Sequence, residues 1–383
     1  ITRNEEREIV MIIQSRKIWM NGSFQAGQLK IINGGIQKIL PYNQEKADKD
    51  YGSLLVCPGF IDIHTHGWNK CDAGHPTSAA MQKWKMHMPH EGVTSFVATT
   101  ATQSIEENEK AFSKLGGIIE NQGNGAEIIG INVEGNYISH NAHGAQDLYT
   151  IVKPNAEQLL HYNALSKHHI LTVTCAPECE GAIDFIKRAT AAGIRVSMGH
   201  SAATYEESEL AIKAGVTGTT HTGNGMTPFH HRRPGIFGAA LCDGSVYAEV
   251  IGDGIHVALP TAQIIGTMKG KDRLILVTDS SPVKDDPKYA EMNKEGAFRL
   301  PDGTLFGSAL YVNQGVYNLY KKDHLTLETT INAATINPAK FLGVDNRKGS
   351  IEEGKDADIT VCTNTFDLKE VYCMGKAQLH GNS

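Results

Sequence analysis

Between residues 59 and 279 a short β-branched, aliphatic run recurs eight times, with stretches of helical period in between. The runs are GFIDIH (59–64), TSFVATT (94–100), EIIGINVE (127–134), ILTVTCA (170–176), IRVSMG (194–199), VTGTTH (216–221), YAEVIGD (247–253) and RLILVTD (273–279). Helical candidates such as TSAAMQKWKMHMPHEG (77–92), NAEQLLHYNALSKH (155–168) and TYEESELAIKAG (204–215) lie between them. Strands alternating with helices, eight strands in all, predict an α/β chain whose parallel strands close into a (β/α)₈ TIM-like barrel.

In such a barrel the C-terminal strand ends converge on one mouth, where catalytic groups collect. Five stretches carry an imidazole or a carboxylate at that edge: GFIDIHTHG (His64, His66), IIGINVEGN (Glu134), IRVSMGHSA (His200), GVTGTTHTG (His221) and RLILVTDSS (Asp279). His64 and His66 are two apart, so on a strand both side chains face the same way. Imidazoles with a carboxylate suit zinc, and also iron or manganese. Gly135 after Glu134 lets the backbone turn sharply beside a ligand. Asp279 ends the most apolar run, where a carboxylate is costly unless paired or metal-bound. Its place suits a general base that takes a proton from metal-bound water and passes it to a leaving amine. A bridging carboxylated lysine would need a Lys at the fourth strand end. VTCAPECE has none, which leaves that role to Glu134.

The flanks read differently. MIIQSRKIWMNGSF and QLKIINGGIQKIL alternate short strands with Asn-Gly at 21–22 and Asn-Gly-Gly at 33–35, both hairpin signals. After residue 348 the text turns β again, in KGSIEEGKDADITVCT and LKEVYCMGKAQLHG. The expected division is therefore a barrel at 58–348 and a small discontinuous β-sandwich from 11–57 plus 349–383. A barrel of ~250 residues and such a module together account for the 383 residues. The first strand-like pattern begins at Met11, so residues 1–10 read as preceding the natural start.

Composition narrows the function. With 20% charged residues and a net charge of −6, the chain lacks the clustered basic surface of nucleic-acid or anionic-membrane binders. No run approaches the ~20 apolar residues of a membrane span, and ITRNEEREIVM lacks the apolar core of a signal peptide. The seven cysteines have no disulfide-framework spacing, and Cys175 and Cys179 are four apart. They read as reduced thiols of a cytoplasmic protein. His87, His90, His161, His168 and His169 lie on helical stretches and read as surface residues. Trp68 and Trp84 read as packing. His140, His143, His230 and His231 read as loop contacts or solvent-facing. GSAL (307–310) lacks the ending of a phosphate-cradling P-loop.

The order H-x-H, Glu, His, His, Asp over eight strands resembles the amidohydrolase superfamily. The finer text resembles the N-acetylglucosamine-6-phosphate deacetylase family over nearly the whole chain. The matching stretches are PGFIDIHTHG (58–67), VEGNYIS (133–139), HGA (143–145), APE (176–178) and GHSAATYEE (199–207). They continue with TH-x-x-N-x-M and HHRRPG (220–235), DGIHV (253–257), LVTDSS (276–281) and GTLFGSAL (303–310). The tail, NPAKFLGV then KGSIEEGKDADITV, is similar to the superfamily's closing segment.

The resemblance implies a metal-dependent deacetylase that hydrolyses the N-acetyl group of N-acetylglucosamine-6-phosphate, or of a related N-acyl amino sugar such as the galactosamine epimer. It implies Glu134, His200 and His221 as principal metal ligands and His64 and His66 as the pair used by members with two metals. One or two divalent transition-metal ions, zinc or iron, are expected per chain. Asp279 matches the catalytic acid/base. Asn224 and Gly225 match the sugar-holding loop, Arg232 and His256 the phosphate-binding pair, and Ala145 with Leu305, Phe306 and Gly307 further substrate contacts. The family implies a homodimer with one phosphate contact donated across the interface. The chain departs from the pattern along the substrate wall: Asn136 stands for Pro, Gln146 for a sugar-contacting His, and Gly223 and Gly225 for an aromatic and Ala. Arg233 stands for Glu, adding a guanidinium suited to an anionic substrate. A barrel retained only as a scaffold has no physical need for the six metal and base residues together.

Overall fold

In a computed structural model the chain is described from Val10 to the backbone of His380. The reading of residues 1–10 as preceding the natural start falls, but for Val10, outside the described residues, as does the end of the expected sandwich at 381–383.

All eight expected strands form. They are β1 (Phe60–Thr65), β2 (Val93–Thr100), β3 (Glu127–Val133), β4 (Ile170–Cys175), β5 (Arg195–Met198), β6 (Val216–Thr219), β7 (Tyr247–Ile251) and β8 (Leu274–Val277). They pair in chain order, every pair parallel. The ends of β1 and β8 close the ring: Thr65 bridges Ser280, and the Asp279 amide donates to the His64 carbonyl at 2.9 Å. Strands covered by helices outside and side chains inside are buried on both faces, as all eight residues of β2 are.

The three helical candidates appear as α1 (Ser78–His87), α3 (Ala156–Leu165) and α5 (Tyr205–Ala214), with α2 (Ile105–Glu120) and α4 (Ala182–Ala191) also on the ring. Pro89 ends α1 early, and Met88–Glu91 continues as a 3₁₀ turn. Ser104 with Glu107 and Thr204 with Glu207 form reciprocal capping boxes that start α2 and α5. Phe112, Leu115, Leu159, Phe185 and Ile186 of these helices pack on Phe96, Ile128, Ile131 and Val196 of the strands. The helical histidines divide: His90, His161 and His168 are exposed, but His87 stacks on Trp68 with ring centroids 3.8 Å apart. The Trp68 indole holds it there by donating to Asp285 at 2.7 Å. Trp84 is wholly buried.

The two flanks join in one mixed sheet. Its order runs 376–380, 368–373, 359–362, 55–58, 10–20, 23–32, 35–40, with 49–50 beside 10–20. Both Asn-Gly turns are hairpins with left-handed backbone, Asn21 and Gly22 at φ 52° and 77°, Asn33 and Gly34 at 50° and 86°. The sheet curls so that Gly35 bridges Asp356, enclosing Ile13, Leu29, Ile31, Val56, Ile359 and Val361. Pro58 belongs to this sheet through Leu55–Pro58, and the barrel begins two residues later at Phe60. All seven cysteines are free thiols.

Candidate active site

The strand ends bring the expected residues together. Glu134 directly follows β3; His200, His221 and Asp279 each stand two residues beyond β5, β6 and β8. Those three have left-handed backbone, with φ of 44°, 27° and 49°. Non-glycine residues held there are strained, and such strain collects at functional sites. The turn points each side chain inward over the barrel.

Glu134 is the hub. Its Oε1 lies 2.8 Å from His221 Nε2, 3.1 Å from His200 Nε2 and 3.6 Å from His64 Nε2. Its Oε2 lies 3.2 Å from His66 Nε2. Asp279 Oδ1 is 3.2 Å from His66 Nε2 and 3.5 Å from His64 Nε2. Two ligand-like groups result, His64 with Glu134 and His221, and His64 with His66 and Asp279. His64 has no exposed side-chain surface, whereas His66 and Asp279 keep 15% and 14%, so these two meet the cleft.

The outer nitrogens are held from behind. His200 Nδ1 lies 2.9 Å from the Ala142 carbonyl and His64 Nδ1 3.0 Å from Glu249 Oε2. Each acceptor keeps a hydrogen on Nδ1 and turns Nε2 inward. Gln146 braces Glu134: its Nε2 donates to Glu134 Oε2 at 2.7 Å, and its Oε1 accepts from the Thr102 amide and hydroxyl, both at 2.8 Å.

The electrostatics follow from packing charges in a dry place. Burial opposes charge on Glu134, but His64, His200 and His221 outweigh it and hold the carboxyl well below its usual range. Asp279 is likewise lowered, burial being outweighed by His66 and His64. Burial works against a charged His66, yet Asp279 and Glu134 raise it to about 9. Glu134 and Glu249 similarly raise His64 against its burial.

The residues fit a divalent transition metal. His64 Nε2 is buried with no hydrogen-bond partner among the described residues, an arrangement that a cation satisfies. Imidazole nitrogens and carboxylate oxygens within ligand reach of one another are the donor set of zinc, iron or manganese sites.

A cleft of about 410 Å³ opens above the cluster. His66, Glu134, His200, His221 and Asp279 form its floor; Ala145, Asn224, Gly225, His256 and Leu305–Gly307 line its walls. His256 is clamped through Nδ1 by Asp253 at 2.6 Å, and its buried Nε2 has no hydrogen-bond partner among the described residues. Arg232 is not in this wall. It is exposed and lines a neighbouring cavity with Arg233, His230 and Tyr205. Within one chain the expected phosphate pair is thus not assembled.

The departures from the family text are structurally explicit. Asn136, at φ 58°, adopts a backbone closed to proline, and its amide donates to the carbonyls of Gln103 and Thr150 at 2.8 and 2.7 Å. Gln146 holds Glu134 as well as facing the cleft. Gly225 lies against His200: a Cβ there would sit 2.7 Å from Nδ1. Glu249 escaped the sequence reading. Its signal was the one used for Asp279, a carboxylate in an apolar strand, here YAEVI.

Known proteins agree with this geometry. The model of the amidohydrolase family matches residues 55–377. An Escherichia coli O157:H7 N-acetylgalactosamine-6-phosphate deacetylase is 33% identical over 91% of this chain and 94% of its own length. A Lysinibacillus sphaericus N-acetylglucosamine-6-phosphate deacetylase is 34% identical over 87% of each. Among solved structures, the N-acetylglucosamine-6-phosphate deacetylase of Thermotoga maritima superposes with a TM-score of 0.86 at 28% identity, covering 97% of this chain and all of that one, 100%. That of Mycobacterium smegmatis gives 0.87 at 26%, over 96% and 100%. The chain belongs to the N-acetylglucosamine-6-phosphate deacetylase family of amidohydrolases.

Proposed function

We propose that this chain hydrolyses N-acetylglucosamine-6-phosphate to glucosamine-6-phosphate and acetate. The observation that carries the reading is the imidazole–carboxylate cluster at the floor of a cleft whose rim holds His256, clamped at Nδ1 and with an Nε2 that has no hydrogen-bond partner among the described residues. Glu134, His200 and His221 would hold a divalent metal, zinc or iron, and His64 with His66 a second. When bound, the metal polarises the amide carbonyl and acidifies water.

The chain's own groups do the rest. Asp279, kept ionised by its histidines, accepts the proton of the attacking water at its carboxylate. It then delivers that proton to the leaving amine nitrogen, the two-way use of one group that general acid–base catalysis requires. Leu305, Phe306 and Ala145 shape the wall against the sugar, and Asn224 and Gly225 hold its polar edge. His256 Nε2 meets the phosphate. Arg232, exposed and outside the cleft of its own chain, supports a homodimer in which the second copy completes the phosphate contact. The two-unit reading, barrel at 58–348 and sandwich at 11–57 with 349–383, is supported by the separate core under the outer sheet. No helix among the described residues is long and apolar enough to cross a membrane. The seven unpaired cysteines support a cytoplasmic reading.

The galactosamine epimer is the second reading, favoured by the Escherichia coli relative of that name. The test is turnover of phosphorylated and free N-acetyl-glucosamine, -galactosamine and -mannosamine by protein of defined metal loading. Turnover of N-acetylglucosamine-6-phosphate should be fastest and chelation should abolish it. Equal rates with the free sugar, or full activity without metal, would overturn the reading.

A further inference from the structure

One carboxylate of the barrel mouth has no role in the reaction above. Glu249 stands in the middle of β7, 4% exposed, in an otherwise apolar strand. A buried carboxylate is costly unless hydrogen-bond donors hold it. Its donors belong to the cluster. The backbone N–H of His221 donates to Oε2 at 3.0 Å, which fixes that oxygen in place. The same oxygen lies 3.0 Å from His64 Nδ1. A second bond pins the strand: the Glu249 carbonyl accepts from the Thr222 amide at 2.9 Å.

A carboxylate can only accept here, so a hydrogen sits on His64 Nδ1 and Nε2 is the nitrogen turned inward, the one left to a metal. That Nε2 is buried and without a hydrogen-bond partner among the described residues, and a cation would satisfy it. His200 Nδ1 donates the corresponding bond to the neutral Ala142 carbonyl. Between these two cluster histidines it is His64 whose Nδ1 is backed by a carboxylate, and a charged acceptor both orients an imidazole and makes it a better ligand.

We infer that Glu249 is a positioning residue for the metal site, acting through the tautomer and ring plane of His64. The inference rests on the metal reading above, and its test separates the two. Metal-free protein is titrated with zinc against a chromogenic chelator. Glu249→Gln keeps the shape and loses the charge; it should bind zinc about 10–100-fold more weakly while melting, metal-free, at the wild-type temperature. In a His64→Asn background the same substitution should change zinc affinity by roughly threefold or less, because the route through His64 is gone. Wild-type affinity in Glu249→Gln, or the full loss persisting without His64, overturns the inference. A wild type that binds no zinc overturns the metal reading instead. Should Glu249→Gln fail to fold, the zinc-loaded wild type decides by ¹⁵N NMR of labelled histidine: a proton on His64 Nδ1 is expected, and one on Nε2 refutes.

Discussion

Gly225→Ala returns the family's usual residue to this chain, and the structure says it will do harm. Gly225 has φ 55°, a conformation that costs an alanine about 1–2 kcal/mol. The larger effect is a collision. The new Cβ would lie 2.7 Å from His200 Nδ1 and 3.0 Å from Cε1. Ordinary contact is ~3.5 Å, so the ring must retreat by about 0.8 Å. It has little freedom to do so: Nδ1 is tied to the Ala142 carbonyl at 2.9 Å, and a Cβ on Gly144 would already lie 3.3 Å from Cε1. Nε2 then leaves its place 3.1 Å from Glu134 Oε1. A misplacement approaching 1 Å can cost ~10²-fold, so kcat/KM should fall by about 10–100-fold, with weaker metal binding in parallel. Steady-state deacetylation and zinc titration of metal-free protein measure both. Gly223→Ala is the control. Its φ of 99° also resists a side chain, but its Cβ would meet only Phe237 at an ordinary 3.5 Å. It should lose stability and keep metal affinity. Wild-type metal affinity and kcat/KM in Gly225→Ala would refute the reasoning.

Asp279→Asn should keep fold and metal and lower kcat by roughly 10²–10⁴; near-normal turnover would remove Asp279 from the proton-transfer role. Arg232→Ala should lower kcat/KM for the 6-phosphorylated sugar by at least about tenfold, ~1.4 kcal/mol, and leave the slow turnover of the free sugar unchanged. A parallel fall on both substrates would contradict a phosphate contact. Asp323 is 1% exposed and neither carboxylate oxygen has a hydrogen-bond partner among the described residues. Burial pushes its pKa up to about 6 from 3.8. A raised carboxyl contributes stability below its unfolded value of 3.8 and loses it as pH rises through about 6. Asp323→Asn should therefore stabilise by about 1–3 kcal/mol at pH 8 and by little at pH 4, read from urea denaturation; an equal gain at both would exclude burial of the charge as its cause.

Much of the architecture was legible in the chain, for local reasons. Eight apolar β-branched runs interrupted by helical period are short-range patterns, and the barrel is the arrangement that buries all of them at once. The hairpins at 21–22 and 33–35 followed from Asn-Gly, whose left-handed backbone two-residue turns require. The convergence of His64, His66, Glu134, His200, His221 and Asp279 followed from strand-end position alone, because every parallel strand of a barrel ends at the same mouth. What lay behind those residues was not legible. Glu249 meets His64 across 185 residues, and nothing near either position announces the pairing. Gln146 reaches Glu134 only because Thr102, 44 residues earlier, fixes its amide. His87 looked like a surface helix residue until Trp68 covered it, and Arg232 matched a phosphate contact yet faces another cavity. Periodicity and turn chemistry act over a few residues and determine elements and the edge on which a side chain stands. Which nitrogen of an imidazole faces inward, and which loop closes on it, depends on groups that only closure of the ring brings within 3 Å.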